Sequence, residues 1–433
     1  MFKATKLKAG VDMRLRAEIL STGDEVLTGA IVDTNAAHLA DLLTEAGVEV
    51  VRQSTVGDNL AALIDIFREV GDRVDLVLAT GGLGPTSDDL TAEAAAGATG
   101  NPLVMDSASL ERIESYFRQR NIPMKDTNRK QAMFPRGAEP LENPVGTAPG
   151  FSMKIGRARF YFMPGVPHEM RRMMTDQVMP RIRKLQGTEA AGNPTRIIST
   201  FGLPESDAGQ RLSAFNSRFP DLRLGFQVKY PGILLKVYAG TGESGIMAQR
   251  IEDAADWVCG QLGEHVVSTT GKSLEEVVGE LLKSRGATLA VAESCTGGLI
   301  SHLLTNVPGS SDYFLFSGVT YANASKTDIL KVPPETLRQF GAVHEETAKA
   351  MAMGVRAATG ATFGLATSGI AGPSGGTEDK PVGTICIGLA TPEEVFAVRR
   401  LFSFGRRLMN KQMFAAAALD MMRRYLLKNI PLY

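Results

Sequence analysis

Three side chains in the last third of the chain, Ser311, Tyr321 and Lys326, are of the types that together perform nucleophilic acyl transfer. A serine hydroxyl is a weak nucleophile at its own pKa and needs a base beside it. Lysine serves when desolvation leaves its amine neutral, and tyrosine can bridge the two or pass a proton to a leaving group. The same spacing also fits three structural roles: Ser311 as a turn cap, Tyr321 as a sheet-edge residue and Lys326 as solvated helix surface. Geometry decides between these readings, not chain order. In SGIAGPSGG (Ser368–Gly376) the glycines let backbone amides approach a substrate closely. As an oxyanion hole this segment would use Gly369 and Gly372, with Ser368 donating nearby; otherwise it is a turn-rich connection. AESCTGG (Ala292–Gly298) sets Ser294 and Thr296 before a helix start, where they surround a phosphate or carboxylate or act as ordinary caps. Lys380 and Arg407 are cationic candidates for a phosphate.

A second group lies near the start of the chain. TGGLGPTSDDLT (Thr80–Thr91) offers an anion-binding turn through Gly81, Gly82, Gly84 and Thr86. Asp88 and Asp89 are hard-oxygen candidates for a divalent metal (Mn, Co or Mg), or else helix caps. Asp24 and Asn35 in STGDEVLTGAIVDTN (Ser21–Asn35) complete the candidate site, with Asp58 and Glu169 as weaker ligands.

The elements that must hold these groups alternate between strand and helix, which indicates parallel sheets covered by helices. Strands are expected at Ala17–Ser21, Val48–Gln53, Asp75–Thr80, Ser152–Ile155 and Ala158–Phe162, with helices at Asn35–Ala46, Asn59–Val70 and Met170–Leu185. A smaller α+β unit follows, with a helix at Glu205–Phe215, a hairpin of Arg223–Lys229 and Ile233–Tyr238, and a long helix at Ile246–Leu262. In the last unit Ser273 and Glu276 form a capping box. Asn323 caps the helix bearing Lys326, and Arg407–Arg424 is the final helix. The fold class is α/β, with domains at 14–187, 195–267 and 270–425 and a small-residue linker at Gly187–Thr195.

Lys plus Arg number 47 and Asp plus Glu number 47, so no global field attracts polyanions or membranes. The three cysteines form no CxxC pair, and with five histidines and no HExxH neither a disulfide framework nor a histidine metal site is expected. Neither a signal peptide nor a run of apolar residues long enough to span a membrane appears, and a cytoplasmic location is expected.

AESCTGG, PGSSDYF (Pro308–Phe314), GVTYANASK (Gly318–Lys326), GAVHEETA (Gly341–Ala348) and SGIAGPSGGTEDKPVGT (Ser368–Thr384) together resemble the full-length CinA (competence/damage-inducible protein) family from Leu15 to Arg424. The resemblance implies a three-layer molybdopterin-binding-like N-terminal domain, a KH-like middle domain and a C-terminal nicotinamide mononucleotide deamidase domain needing no cofactor. It implies Ser311, Tyr321 and Lys326 as catalytic, with Ser294, Thr296, Ser368, Gly369, Gly372 and Arg407 around the substrate. Whether water attacks an acyl-enzyme or the amide itself is left open. For the N-terminal domain it implies metal-dependent hydrolysis of ADP-ribose, the alternatives being simple pterin binding or a non-enzymatic competence role. The partners implied are nicotinamide mononucleotide, ADP-ribose and a second copy of the chain as a homodimer, with no nucleic acid or membrane. The last motif departs from the family's Gly-Asp-Arg pattern: in GRRLMNK, Arg406 replaces the acid and Lys411 a second arginine.

Overall fold

A computed structural model describes residues 15–186, 195–239, 244–402 and 404–427. The basic stretch at the start, the turn GTGES and the linker expected at Gly187–Thr195 lie largely outside them. The chain divides into two compact units, Met1–Asn193 and Pro194–Tyr433.

In the first unit, strands β1 (Arg16–Thr22), β2 (Glu49–Val56) and β3 (Leu76–Thr80) are followed by three short strands, β4 (Leu103–Met105), β5 (Met133–Pro135) and β6 (Glu139–Leu141). Strands β7 (Gly150–Ile155) and β8 (Ala158–Met163) complete a six-stranded sheet ordered β2-β1-β3-β8-β7-β6. It is parallel from β2 to β8. Alternate side chains along each strand face opposite sides, so Val77, Ala79, Phe160 and Phe162 enter one core. Leu76, Leu78, Tyr161 and Met163 enter the other. Helices Leu60–Arg73 and Thr91–Thr99 cover the first side. Thr34–Glu45 and the helical run from Pro167 to Leu185 cover the second, which makes three layers. That run is broken by a π turn at Met174–Val178. The helix Ser107–Gln119 and strands β4 to β6 have no counterpart in the sequence reading: three-residue strands carry too few alternations to show a period.

The second unit opens with an antiparallel sheet of β9 (Thr195–Phe201), β10 (Leu222–Lys229), β11 (Gly232–Ala239) and β12 (Val266–Ser268), ordered β10-β11-β9-β12. The helix Ser244–Leu262 closes its core. The expected helix Glu205–Phe215 is two short ones, Glu205–Arg211 and Phe215–Arg218.

A five-stranded sheet follows, of β13 (Leu289–Glu293), β14 (Phe314–Val319), β15 (Phe363–Gly369), β16 (Thr384–Ala390) and β17 (Val395–Leu401), ordered β14-β13-β15-β16-β17. Strands β14, β13 and β15 are parallel, and β16 and β17 return antiparallel. Leu289, Val291 and Leu365 pack under the helices Leu274–Ser284 and Arg407–Leu427. The other face is small: Ala290, Ala292 and Ala366 meet the helix Glu345–Thr359. Close approach is obligatory there, because a Cβ on Gly364 or Gly388 would stand 2.2 Å from the carbonyl oxygen of Ala352 or Ala348. Ser273 and Glu276 form the expected capping box. Asn323 is instead the first helical residue, with Ala322 at the cap.

Near its C-terminal end the last helix grips the β12 region. Arg423 and Asp420, each 1% exposed, are paired at 2.7 Å. Arg423 also donates to the carbonyls of Val266 and Glu264, each at 3.0 Å. Arg424 Nε also holds Asp420, at 2.7 Å, so without Arg423 the acid keeps one partner while the two carbonyls lose theirs. Arg423→Ala is therefore expected to lower unfolding stability by roughly 1–3 kcal/mol, read from urea midpoints monitored by far-UV circular dichroism.

Candidate active site

The C-terminal ends of β13, β14 and β15 meet at one edge of the second unit, the usual ligand edge of a parallel sheet. Lys326 sits there in the helix Asn323–Asp328 and is 1% exposed. Its Nζ lies 3.2 Å from Ser294 Oγ, 2.8 Å from the Thr320 carbonyl and 3.1 Å from the Tyr321 carbonyl. Burial holds its pKa below the ordinary 10.5, opposed weakly by the nearby Cys295 thiol. The set of partners suits a neutral amine. Two carbonyls can only accept, which uses both N–H groups, and the remaining lone pair faces the one partner able to donate, the Ser294 hydroxyl.

Ser311 is not part of this group. It lies in the short 3-10 turn Ser310–Asp312 before β14, whereas Lys326 follows the other end of that strand. A six-residue strand spans roughly 20 Å, and Ser311 is exposed. The hydroxyl that meets Lys326 is therefore Ser294, expected from sequence only as a binding residue. Tyr321 contributes its carbonyl; its ring is exposed, and its hydroxyl accepts from Arg407 Nη2 at 3.1 Å instead of bridging serine and lysine.

The turn after β13 is held from inside. Glu293, fully buried, accepts at Oε2 from the amides of Gly298 (2.9 Å) and Ile300 (3.2 Å), and at Oε1 from Ser301 N (2.9 Å) and Ser301 Oγ (2.5 Å). The helix start expected to receive a phosphate is thus filled by the chain's own carboxylate. Thr296, fully buried, shares a 2.8 Å hydrogen bond with Thr367 Oγ1 and faces no ligand. Ser368 is 1% exposed and donates to the Ala342 carbonyl at 2.6 Å, so its proton is not free for an oxyanion. Gly369 lies in β15 against β16. The backbone hydrogen bonds of the turn run from Ser294 N to Thr367 O and from Gly297 N to Ser294 O. Among the described residues these leave the N–H groups of Cys295 and Thr296 without a backbone partner.

Cations gather beside the turn. Arg407 Nη1 donates to the Gly372 carbonyl at 2.7 Å. Lys411 Nζ would stand 3.3 Å from a Cβ on Gly297, so the amine lies over that glycine. Arg406, Arg407 and Lys411 crowd the start of the last helix, whose first turn carries no acid. Cations at the positive end of a helix dipole repel it, and an anion relieves both. Lys380 is engaged elsewhere, donating to the Phe340 carbonyl at 3.1 Å.

The first unit has a separate cleft of about 480 Å³, lined by Gly81, Gly82, Gly84, Asn35, Asp88 and Asp89 together with Glu25, Asp33, Asp58 and Glu169. Asp24 and Thr86 do not line it. Asp24 and Asp58 exchange backbone-to-carboxylate hydrogen bonds at 3.1 Å. Partial burial pushes the Asp58 carboxyl up, and the charges of Asp24, Glu25 and Asp88 add to that against the stabilising Asp24 amide. Asp89 folds back on Thr86, accepting from its N (2.8 Å) and Oγ1 (2.6 Å). Among the described residues, no three His, Cys, Asp or Glu side chains are placed to hold one ion. Asn35 donates to the Gly165 carbonyl at 2.7 Å, while its buried Oδ1 has no partner.

A family model described as "CinA C-terminal domain" matches residues 271–426, and one described as "Probable molybdopterin binding domain" matches residues 18–184. A CinA-like protein of Desulfosudis oleivorans is 53% identical over 95% of this chain and 100% of its own. This chain belongs to the CinA family. A CinA-like protein of Desulforapulum autotrophicum is 45% identical over 95% of this chain and 99% of its own. The crystal structure of CinA from Thermoplasma acidophilum covers 39% of this chain and 99% of its own, at 35% identity and TM-score 0.36.

Two residues of this CinA family member escaped the sequence reading: Glu293, visible only as the one acid closing an apolar strand, and Tyr230, discussed below. Both Glu293 oxygens accept from backbone N–H groups, so a glutamine in either orientation presents its NH2 to another donor. Glu293→Gln is expected to cost roughly 1–3 kcal/mol of stability, measurable as a lowered urea midpoint, whereas exposed Glu335→Gln leaves the midpoint unchanged.

Proposed function

We propose that this CinA family member hydrolyses the carboxamide of nicotinamide mononucleotide, with Ser294 as nucleophile and Lys326 as its base. The observation that carries this is the 3.2 Å contact between the Ser294 hydroxyl and a buried lysine amine. The neutral amine takes the hydroxyl proton as Oγ bonds to the amide carbon. The carbonyl oxygen gains the negative charge, and the amides of Cys295 and Thr296, which have no backbone partner among the described residues, are the donors assigned to stabilise it. The C–N bond breaks, and nitrogen leaves as ammonia with the proton held on Lys326. Water then adds to the acyl carbon, passing a proton back through Lys326 as Ser294 is released and nicotinate mononucleotide departs. The Arg406, Arg407 and Lys411 cluster supports a phosphate-bearing substrate. No cofactor enters any step.

For the first unit the match to a probable molybdopterin binding domain and the acceptor-rich lining of the cleft support pterin binding. A pterin ring presents N–H donors that carboxylates accept, and the unpartnered Asn35 Oδ1 offers one more acceptor. No hydrolytic step is assigned to this unit.

Ammonia release from nicotinamide mononucleotide tests the proposal. Ser294→Ala is expected to lower kcat by roughly a thousandfold or more, and Ser311→Ala to change it less than about twofold because Ser311 lies at the far end of β14. Full activity of Ser294→Ala defeats the assignment.

The pH profile adds an independent check. The active form is the neutral amine, which grows as pH rises, so kcat/KM rises through the lowered Lys326 pKa and levels above it. Lys326→Arg, which stays charged, removes that limb along with the activity.

A further inference from the structure

We propose that Tyr230, at the tip of the β10–β11 hairpin, is a positioning residue for Arg407, so that the middle segment completes anion recognition at the Ser294–Lys326 site. The inference rests on the amidohydrolase reading and assigns the middle segment a part in it.

Tyr230 reaches the start of the last helix in two ways. Its hydroxyl donates to the Met409 carbonyl at 2.9 Å, and its ring stands edge-on to Phe404 with centroids 5.5 Å apart. These two contacts bracket Arg407. The same helical turn is tied to the glycine-rich segment of the site: Asn410 Nδ2 donates to the Ala371 carbonyl at 3.0 Å and Arg407 to the Gly372 carbonyl at 2.7 Å. Asn410 Oδ1 in turn accepts from Phe404 N at 3.4 Å.

Arg407 itself is exposed, and its side chain is bonded to the Gly372 carbonyl and the Tyr321 hydroxyl. A long exposed side chain loses rotamer entropy when it must hold one pose. Fixing its backbone lowers what remains to be ordered when an anion binds. The attachment is two-point: Tyr230 holds the helix near its start, and Arg423 binds the Glu264 and Val266 carbonyls roughly 21 Å along it. The middle segment therefore sets the direction of the helix as well as its position.

Tyr230→Phe keeps the ring and removes only the hydroxyl, so it folds. Two measurements read its effect. In the first, binding of ribose 5-phosphate to the full chain is followed by calorimetry, which does not depend on turnover; Tyr230→Phe is expected to weaken it roughly three- to tenfold. In the second, ammonia release is compared for nicotinamide mononucleotide and for its phosphate-free nucleoside. KM for the nucleotide is expected to rise by a similar factor with kcat within twofold, while the nucleoside is unaffected.

A merely structural role would lower both substrates equally, and that result overturns the proposal. So does unchanged ribose 5-phosphate affinity in Tyr230→Phe, or no binding of that probe by the unaltered chain. If the unaltered chain binds the probe and releases no ammonia, the amidohydrolase reading fails by itself, and the binding comparison still decides the role of Tyr230.

Discussion

A lysine amine taken out of water and given two carbonyls and one hydroxyl is the constraint on which the rest of this site depends. Burial disfavours the ammonium form. Thr320 and Tyr321 offer only acceptors, so the proton most easily given up is the one facing Ser294. On the proposed reading, activation of the serine follows from this placement. The carbonyls come from the chain just beyond β14 and the hydroxyl from the chain just beyond β13. The parallel pairing of these two strands is thus what brings nucleophile and base together.

The surrounding structure keeps that placement stiff. Glu293 ends β13 with its backbone in the sheet and its carboxylate in the start of the next helix, so the turn carrying Ser294 is tied at both ends. That carboxylate fills the helix start, while Lys411 of the last helix lies over Gly297. The same helix is held by the middle segment. On the proposed reading, substrate recognition and domain packing share one element.

Much of the architecture was legible in the sequence because long strands and helices carry their period openly: Val77 and Ala79 against Leu76 and Leu78 is alternation that needs no coordinates. Several of the C-terminal motifs fall at one edge of one sheet, Lys326 among them. What could not be read was which of two serines meets it. Ser294 and Ser311 both stand in polar turns flanking a strand, and one-dimensional spacing does not say that β13 pairs beside β14 and so brings Ser294 to the lysine. Adjacent acids suggest shared coordination; in the fold one Asp89 oxygen, Oδ2, is spent on the turn that presents it. Glu293 and Tyr230 were invisible because most of their hydrogen bonds go to backbone groups, which leave no trace in residue type.

The central claim is most directly tested by NMR titration of the lysine Nζ and Cε signals, with Lys326 assigned by its loss in Lys326→Arg. The account predicts that Lys326 is neutral at a pH where the exposed lysines remain charged, and that Ser294→Ala alters its titration while Ser311→Ala does not. A Lys326 signal that titrates at the ordinary lysine value of 10.5 and ignores the loss of the Ser294 hydroxyl contradicts it.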